Sequence, residues 1–252
     1  MRSWVLATAA ASALTAAAPR DAWYVLQAED GTTIGYASET QRLGPDGYES
    51  VAFQEVSLLA EGGGPTRFTQ ETVTRFDAAG RVRTLTSVST LGRDTTRTEA
   101  VIRPGLALVT RTSVSGVVRS EIELPPGVRM DSGAGLLRGR AAGALERLEF
   151  LNFNLDAQAV ERVVIEPAGQ GAVLRTRYDG EELRGVARLQ LSPDGRILAS
   201  TQPMLGARIT VRVSDRETAM KPHTPYPGLR RALFRAPYRM SAAAVEIGRA
   251  HV

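Results

Sequence analysis

The chain has 252 residues, of which 43% are hydrophobic and 23% charged, so it is long enough to bury a substantial core. Its formal net charge of +4 is too small to indicate nucleic-acid binding, and Arg supplies nearly all of the positive charge, with Lys221 the sole lysine. Cysteine is absent, which excludes disulfides, thiolate zinc sites and a cysteine nucleophile.

The N-terminal residues 1–17 read as a signal peptide. Arg2 supplies a positive charge, an Ala-rich apolar stretch runs from Trp4 to Leu14, and Thr15 and Ala17 are small residues at positions −3 and −1 of a cleavage site. The apolar stretch is well short of the roughly 20 residues that span a bilayer. We therefore predict an exported protein, periplasmic or extracellular, with no transmembrane segment after cleavage.

Residues 18–217 are predicted to form an antiparallel β domain. Asp30-Gly31 joins two strand-like runs within Trp23–Thr40, and comparable turn motifs recur about every dozen residues. Later runs alternate with period two, as in Val118, Ser120, Ile122 and Leu124. This pattern predicts a mainly β fold: a long curved antiparallel meander of about 11–12 strands, half-barrel or sandwich-like. The predicted runs include 48–59, 67–76, 82–90, 106–114, 118–124, 151–155, 160–166, 172–178, 182–191, 196–201 and 207–213.

One short helix is predicted near residues 134–149. The apolar residues Leu137, Ala141, Ala144, Leu145 and Leu148 fall on one helical stripe, although Gly139 and Gly143 weaken the helix. We expect this helix to cover the apolar face of the sheet. Gly133-Ala134-Gly135 is interpreted as a helix-entry loop, because a dinucleotide-binding motif would need glycine where Arg138 stands.

No catalytic, cofactor-binding or metal-binding residue can be assigned from the pattern. Four acids could be imagined as paired catalytic carboxylates, but they lie among Thr and Arg on strands and are better explained as cross-strand surface pairs: Glu71, Glu99, Glu121 and Glu123. A His-based site would depend on His223 or His251, both near the C-terminus. We predict that the chain by itself is not an enzyme and needs no cofactor.

Residues 218–246 read as a basic, proline-containing linker. Proline donates no N–H to a sheet, so this stretch cannot be a central strand. Its positive side chains, such as Arg230 and Arg231, could alternatively contact anionic lipid or wall polymer. Its aromatic residues do not form a base-stacking platform, which again argues against nucleic acid.

Several stretches resemble the N-terminal region of bacterial exported transglutaminase-like proteins, of the papain-like cysteine protease superfamily. They are Trp23-Tyr24 with Ile34-Gly35-Tyr36-Ala37, the run Leu191-Ser192-Pro193-Asp194-Gly195-Arg196-Ile197-Leu198, Met204-Leu205-Gly206, Arg216-Glu217-Thr218-Ala219-Met220, and Ala236-Pro237-Tyr238-Arg239-Met240. The resemblance implies a non-catalytic accessory module that positions or presents a peptide or cell-envelope substrate to its own C-terminal catalytic domain.

That catalytic domain would begin near residue 250, so the resemblance implies a truncated chain in which it is missing. Residues 247–252 resemble one frame of a sequencing adapter and are interpreted as a non-native tail. Two alternatives stay open. A curved sheet covered by a helix can enclose an apolar cavity, which suggests a periplasmic carrier or binding protein for a lipid or other apolar ligand. The third hypothesis is a purely structural interaction domain.

Overall fold

The computed structural model describes residues 21–44, 47–59, 64–131, 134–137, 145–204 and 207–226. The elements in chain order are β1 Asp21–Gln27, β2 Thr33–Gly44, β3 Gly47–Leu59, β4 Pro65–Asp77, β5 Val82–Leu91, β6 Asp94–Arg103, β7 Leu106–Ser113, β8 Gly116–Glu123, α1 Ala134–Leu137, β9 Leu148–Asn154, β10 Ala159–Pro167, β11 Ala172–Asp179, β12 Glu182–Leu191, β13 Ile197–Met204, β14 Ala207–Ser214 and α2 Arg216–Ala219.

All fourteen described strands belong to one antiparallel sheet. Its order is β8-β7-β6-β5-β4-β3-β2-β1-β14-β13-β12-β11-β10-β9, so two meanders meet at the β1–β14 pair. The predicted mainly β, long antiparallel meander is confirmed, with fourteen strands instead of 11–12. The run that forms β6, DTTRTEAVIR, was not among the predicted strands, because its first half is polar and lacks an apolar alternation.

Several hairpin turns share one geometry that the glycines make possible. Around Asp30-Gly31, Ala28 N–H donates to Thr32 O at 2.9 Å and Gly31 N–H donates to Ala28 O at 3.0 Å. The turns at residues 77–81 and 192–196 repeat both hydrogen bonds. In each, the glycine has a positive φ of 76° to 82°, which side chains other than glycine rarely adopt.

The sheet curls so that strands distant in its order come into contact. Phe153 and Leu155, at the end of β9, pack with Leu85, Ala100 and Val109 of β5–β7 in one buried cluster, which we call the closure cluster. The sheet therefore has a concave face, which carries Leu85, Ala100 and Val109, and an opposite convex face. The predicted half-barrel curvature thus arises from apolar contacts across the concave face.

Two further apolar clusters stabilise the sheet. The first lies on β1–β3 and β14 in the middle of the sheet, where Leu26, Ile34 and Val56 are fully buried. The second, here called the β10–β12 cluster, contains Val163, Ile165, Val173, Ala187, Leu189 and Leu191 together with Leu137 and Leu145.

The predicted helix is shorter than expected. Helix α1 covers Ala134–Leu137, residues 138–144 lie outside the described residues, 145–147 have no regular structure, and 148–149 belong to β9. Leu137 and Leu145 are nevertheless buried against the sheet, as the apolar stripe predicted. The helical interpretation was wrong from Leu148 onward. The sequence LEFLNFN also alternates as a strand, and pairing with β10 stabilises the strand.

After β14 the chain packs against the sheet. Asp215 caps α2 by accepting from Thr218 N–H at 2.8 Å, Ala219 is fully buried, and Tyr226 forms a parallel bridge with Leu58. The predicted signal peptide, the linker beyond residue 226 and the 247–252 tail lie outside the described residues. Within the described part of the chain, none of the helices has the length and apolar character required to cross a bilayer.

Candidate functional site on the concave face

Polar side chains line the middle of the concave face. Antiparallel pairing places Ala37, Gln54 and Gln70 opposite one another on β2, β3 and β4, hence on one face. Gln54 Nε2 donates to Gln70 Oε1 at 2.8 Å, and Gln70 Nε2 donates to Ser87 Oγ at 3.0 Å. Gln54, Gln70 and Ser87 are all buried, so this chain of hydrogen bonds satisfies groups that would otherwise be costly to bury.

The turn between β9 and β10, residues Leu155–Gln158, comes from the far end of the sheet and contacts these hydrogen-bonded polar residues. Gln70 Nε2 also donates to Asp156 Oδ2 at 3.0 Å, and Ser120 Oγ on β8 donates to Gln158 Oε1 at 3.3 Å. Burial raises the pKa of the Asp156 carboxyl above its ordinary value of 3.8, against the opposing effect of hydrogen bonds from Gln70 and Ser87. We call this segment the closing turn.

A cavity of about 60 Å³ lies on the concave face near the centre of the sheet. Its lining is mixed: Leu26, Ala37, Ala52 and Val211 are apolar, whereas Glu39, Gln54, Gln70, Thr72, Ser200 and Gln202 are polar, and Tyr24, Ser38 and Phe53 complete it. Such a lining can hold a ligand that has both apolar and hydrogen-bonding parts.

Glu39 is a buried acid in this lining. Its Oε1 accepts from Ser50 Oγ and from Gln41 Nε2, both at 3.4 Å, which are long hydrogen bonds. Gln41 Oε1 has no hydrogen-bond partner among the described residues although it is buried. Next to Glu39, Gln41 Oε1 therefore retains capacity to accept a hydrogen bond.

A second polar group lies on the concave face of the other half of the sheet. Arg175 and Arg177 are on β11, and Arg177 Nη1 lies 3.4 Å from Glu161 Oε2 on β10. Glu161 and Arg175 are 3% and 2% exposed, so these charges are almost completely removed from solvent. Buried charges of this kind concentrate an electric field at one place on the face.

The convex face carries an aromatic group, one member of which, Phe53, also lines the cavity. Trp23 stacks on Tyr36 with ring centroids 6.2 Å apart, and Tyr36 also contacts Phe53 and His223. Burial lowers the pKa of His223, partly offset by the nearby Glu55 carboxylate. These contacts hold the segment after α2 on the sheet.

The four acidic residues considered as catalytic candidates do not come together in the structure. Glu71 and Glu121 are exposed, Glu123 is exposed at the end of the edge strand β8, and Glu99 forms an ion pair with Arg97 of its own strand at 2.6 Å. No three His, Asp or Glu side chains within the described ranges come together as metal ligands.

Sequence reasoning missed the residues that the concave face brings together. Gln54, Gln70, Asp156, Glu161 and Arg175 are far apart in the chain, and none lies in a recognisable motif. One signal was present: Arg175 interrupts the apolar positions of AVLRTRYD on the side that also bears Val173. An inward Arg on a buried strand is rare enough to mark a candidate site.

Comparisons with known proteins establish the fold only. No protein-family model and no curated protein matches the chain. Among solved structures, the chain is similar to the crystal structure of a β-barrel-like protein of the domain of unknown function DUF1849 from Brucella abortus. The TM-score is 0.56 at 14% identity, over 78% of this chain and 96% of that chain.

The resemblance to transglutaminase-like proteins is wrong: the similarity is to this β-barrel-like domain, and nothing supports the other family. Its motifs follow instead from the geometry of antiparallel hairpins. A Cβ on Gly35 would lie 2.0 Å from the Glu55 carbonyl oxygen, and Gly195 has a φ of 76° in its turn. IGY and PDG sequences therefore satisfy local backbone needs, and these needs recur in unrelated β proteins. What the chain shares with the solved structure is a β-barrel-like fold, without any indication of catalysis.

Proposed function

We propose that the chain is an exported binding protein that performs no covalent chemistry and takes an amphipathic ligand, such as a lipid, on its concave face. The observation that carries this proposal is the mixed lining of the cavity. Leu26, Ala37 and Val211 offer apolar contact, while Gln54 and Gln202 offer hydrogen bonds in the same space. The accessory-module hypothesis stays a prediction, without the parent family that suggested it.

The cavity is so small that the curved sheet must open when a ligand binds. A volume of about 60 Å³ accommodates a few water molecules, whereas small-molecule sites occupy roughly 300 Å³ or more. The closing turn is held against the opposite half of the sheet by hydrogen bonds from Gln70 to Asp156 and from Ser120 to Gln158, and by Leu155 in the closure cluster. The strands on either side are held by continuous ladders, so a displacement of this turn is the least costly way to open the space.

The test uses the full chain, purified from an exporting host. Solvent extraction and mass spectrometry should recover a bound amphiphile, and a neutral monoacylglycerol should bind with saturable, one-site stoichiometry. Ala37→Leu fills the cavity and should weaken this binding, whereas Ala79→Leu, on the exposed turn after β4, is the matched control. An empty extract together with no monoacylglycerol binding by the wild-type chain would refute the proposal.

A further inference from the structure

Arg175 is a buried guanidinium whose Nε makes no hydrogen bond to the described residues. It is 2% exposed, and its cross-strand neighbours are the apolar residues Ile165 and Ala187. Burial, with a smaller contribution from Arg177, lowers the pKa of Arg175 to about 10, so the side chain is still charged at neutral pH.

Among the described residues around Arg175, positive and negative charges do not balance. Arg175 and Arg177 supply two guanidinium groups, whereas Glu161 supplies one carboxylate. Arg177 pairs with Glu161 at 3.4 Å, which is long for an ion pair. The stretch 132–147, which contributes Leu137 and Leu145 to the same face, contains a single acid, Glu146, and its side chain is exposed. The buried group therefore carries an excess positive charge, which is destabilising unless an anion neutralises it.

The sheet provides room for the guanidinium of Arg177. The residue opposite Arg177 on β12 is Gly185, and a Cβ there would lie 3.2 Å from Arg177 Nη2. Arg177 is also more exposed than Arg175, with 18% of its side chain accessible. Positive charge thus extends from Arg177, at the partly exposed end of β11, to Arg175 within the β10–β12 cluster.

We propose that Arg175 and Arg177 bind the oxyanion, a carboxylate or a phosphate, of a ligand held on the concave face. This inference rests on the proposed function and adds the charge of the ligand to it. An oxyanion would accept hydrogen bonds from the planar guanidinium fork and offset the excess charge. The apolar side chains around Arg175, including Val163, Val173 and Leu189, suit an alkyl chain attached to that oxyanion.

The experiment compares ligands that differ only in the head group. Dodecanoate and dodecyl phosphate are titrated against the full chain by calorimetry, with neutral 1-dodecanol, acetate and inorganic phosphate as the other arms. We expect the charged amphiphiles to bind at least about tenfold more tightly than dodecanol. Arg175→Met should abolish this preference, and Arg188→Met, at an exposed arginine on β12, should leave it unchanged.

The other arms separate the possible failures. Arg175-dependent binding of inorganic phosphate as tight as that of dodecyl phosphate would support the site and assign it to a free anion. Dodecanol binding without any preference for the charged amphiphiles would overturn the inference and leave the proposed function standing. If neither amphiphile nor inorganic anion binds, both fail.

Stability provides a second readout that a purely structural arginine would not give. Because a buried charge is lost, Arg175→Met should leave the Tm of the ligand-free chain unchanged or raise it. Charged amphiphiles should raise the Tm of the wild type more than dodecanol does, and this difference should be absent from the variant. A lower Tm for the variant, without loss of anion preference, would contradict the proposal. If Arg175→Met does not fold, Arg175→Lys, which keeps the charge without the fork, must still weaken the preference.

Discussion

Asp156 illustrates how a single half-buried carboxyl can report on closure of the curved sheet. Its pKa is raised by burial, so the folded state binds the proton more tightly than the unfolded chain. The stabilising contribution is therefore fully present below about pH 3.8 and is lost as the pH rises through the folded pKa. Ionisation of Asp156 therefore works against a closed turn.

Replacing Asp156 with Asn should remove that cost while keeping an acceptor for Gln70. We expect the free energy of unfolding of Asp156→Asn, relative to wild type, to increase as the pH rises through the folded pKa and then to level off. Urea unfolding at a series of pH values measures this. Asp77→Asn is the control of opposite sign, because the hydrogen bond from Arg81 N–H lowers the pKa of Asp77. A pH-independent difference for Asp156→Asn would contradict the prediction.

Gly35 shows how backbone proximity can demand glycine where no unusual φ is involved. A Cβ there would lie 2.0 Å from the Glu55 carbonyl oxygen and 3.0 Å from Val56 Cα, both backbone atoms of β3. Gly35→Ala should therefore separate β2 from β3 and lower the free energy of unfolding by about 1–3 kcal/mol or more. Gly64→Ala, where no atom lies within 4 Å, should have little effect. Equal stability of the two variants in chemical denaturation would refute this interpretation.

At the scale of elements, the closing turn connects the β9 edge to β5–β7 through Leu155. This side chain is 7% exposed within the closure cluster. Leu155→Ala should cost about 2–5 kcal/mol, because it removes apolar contacts and leaves a cavity. Leu183→Ala, at a position 56% exposed on β12, should cost far less. The midpoint of urea unfolding distinguishes them, and similar midpoints would show that Leu155 contributes little to closure.

The elements were predictable to the extent that their signals are local. Hairpin turns with glycine at a positive φ, such as Gly31 and Gly195, and strands with period-two alternation were read correctly. Strand β6 was missed because pairing on both sides with β5 and β7, and not its own composition, makes it a strand. The predicted helix 134–149 was too long because Leu148 fits both a helical stripe and a strand.

The candidate site was not predictable, because curvature creates it. Gln70 and Asp156 are 86 residues apart and meet only when the β9 edge folds over β4 and β5. Arg175 is likewise unremarkable in the sequence until its neighbours on β10 and β12 are known. No periodicity within a strand encodes how far the whole sheet curls, since this depends on apolar contacts between its two halves.

At the scale of the whole molecule, the proposed function requires that ligand binding displaces the closing turn from the other half of the sheet. The chain has no cysteine, so two introduced cysteines can carry spin labels without background. Labels at the exposed residues Ala157, in the closing turn, and Val117, on β8, should move apart or broaden in distance when an amphiphile is bound.

Labels at Leu91 and Val101, on the neighbouring strands β5 and β6, should keep their distance, because both lie within one continuous ladder. Electron paramagnetic resonance measures both pairs with and without ligand. If calorimetry shows saturation while the Ala157–Val117 distance is unchanged, the ligand occupies a site that needs no opening. The concave-face mechanism would then be wrong, because a cavity of about 60 Å³ cannot receive an acyl chain without displacement of its walls.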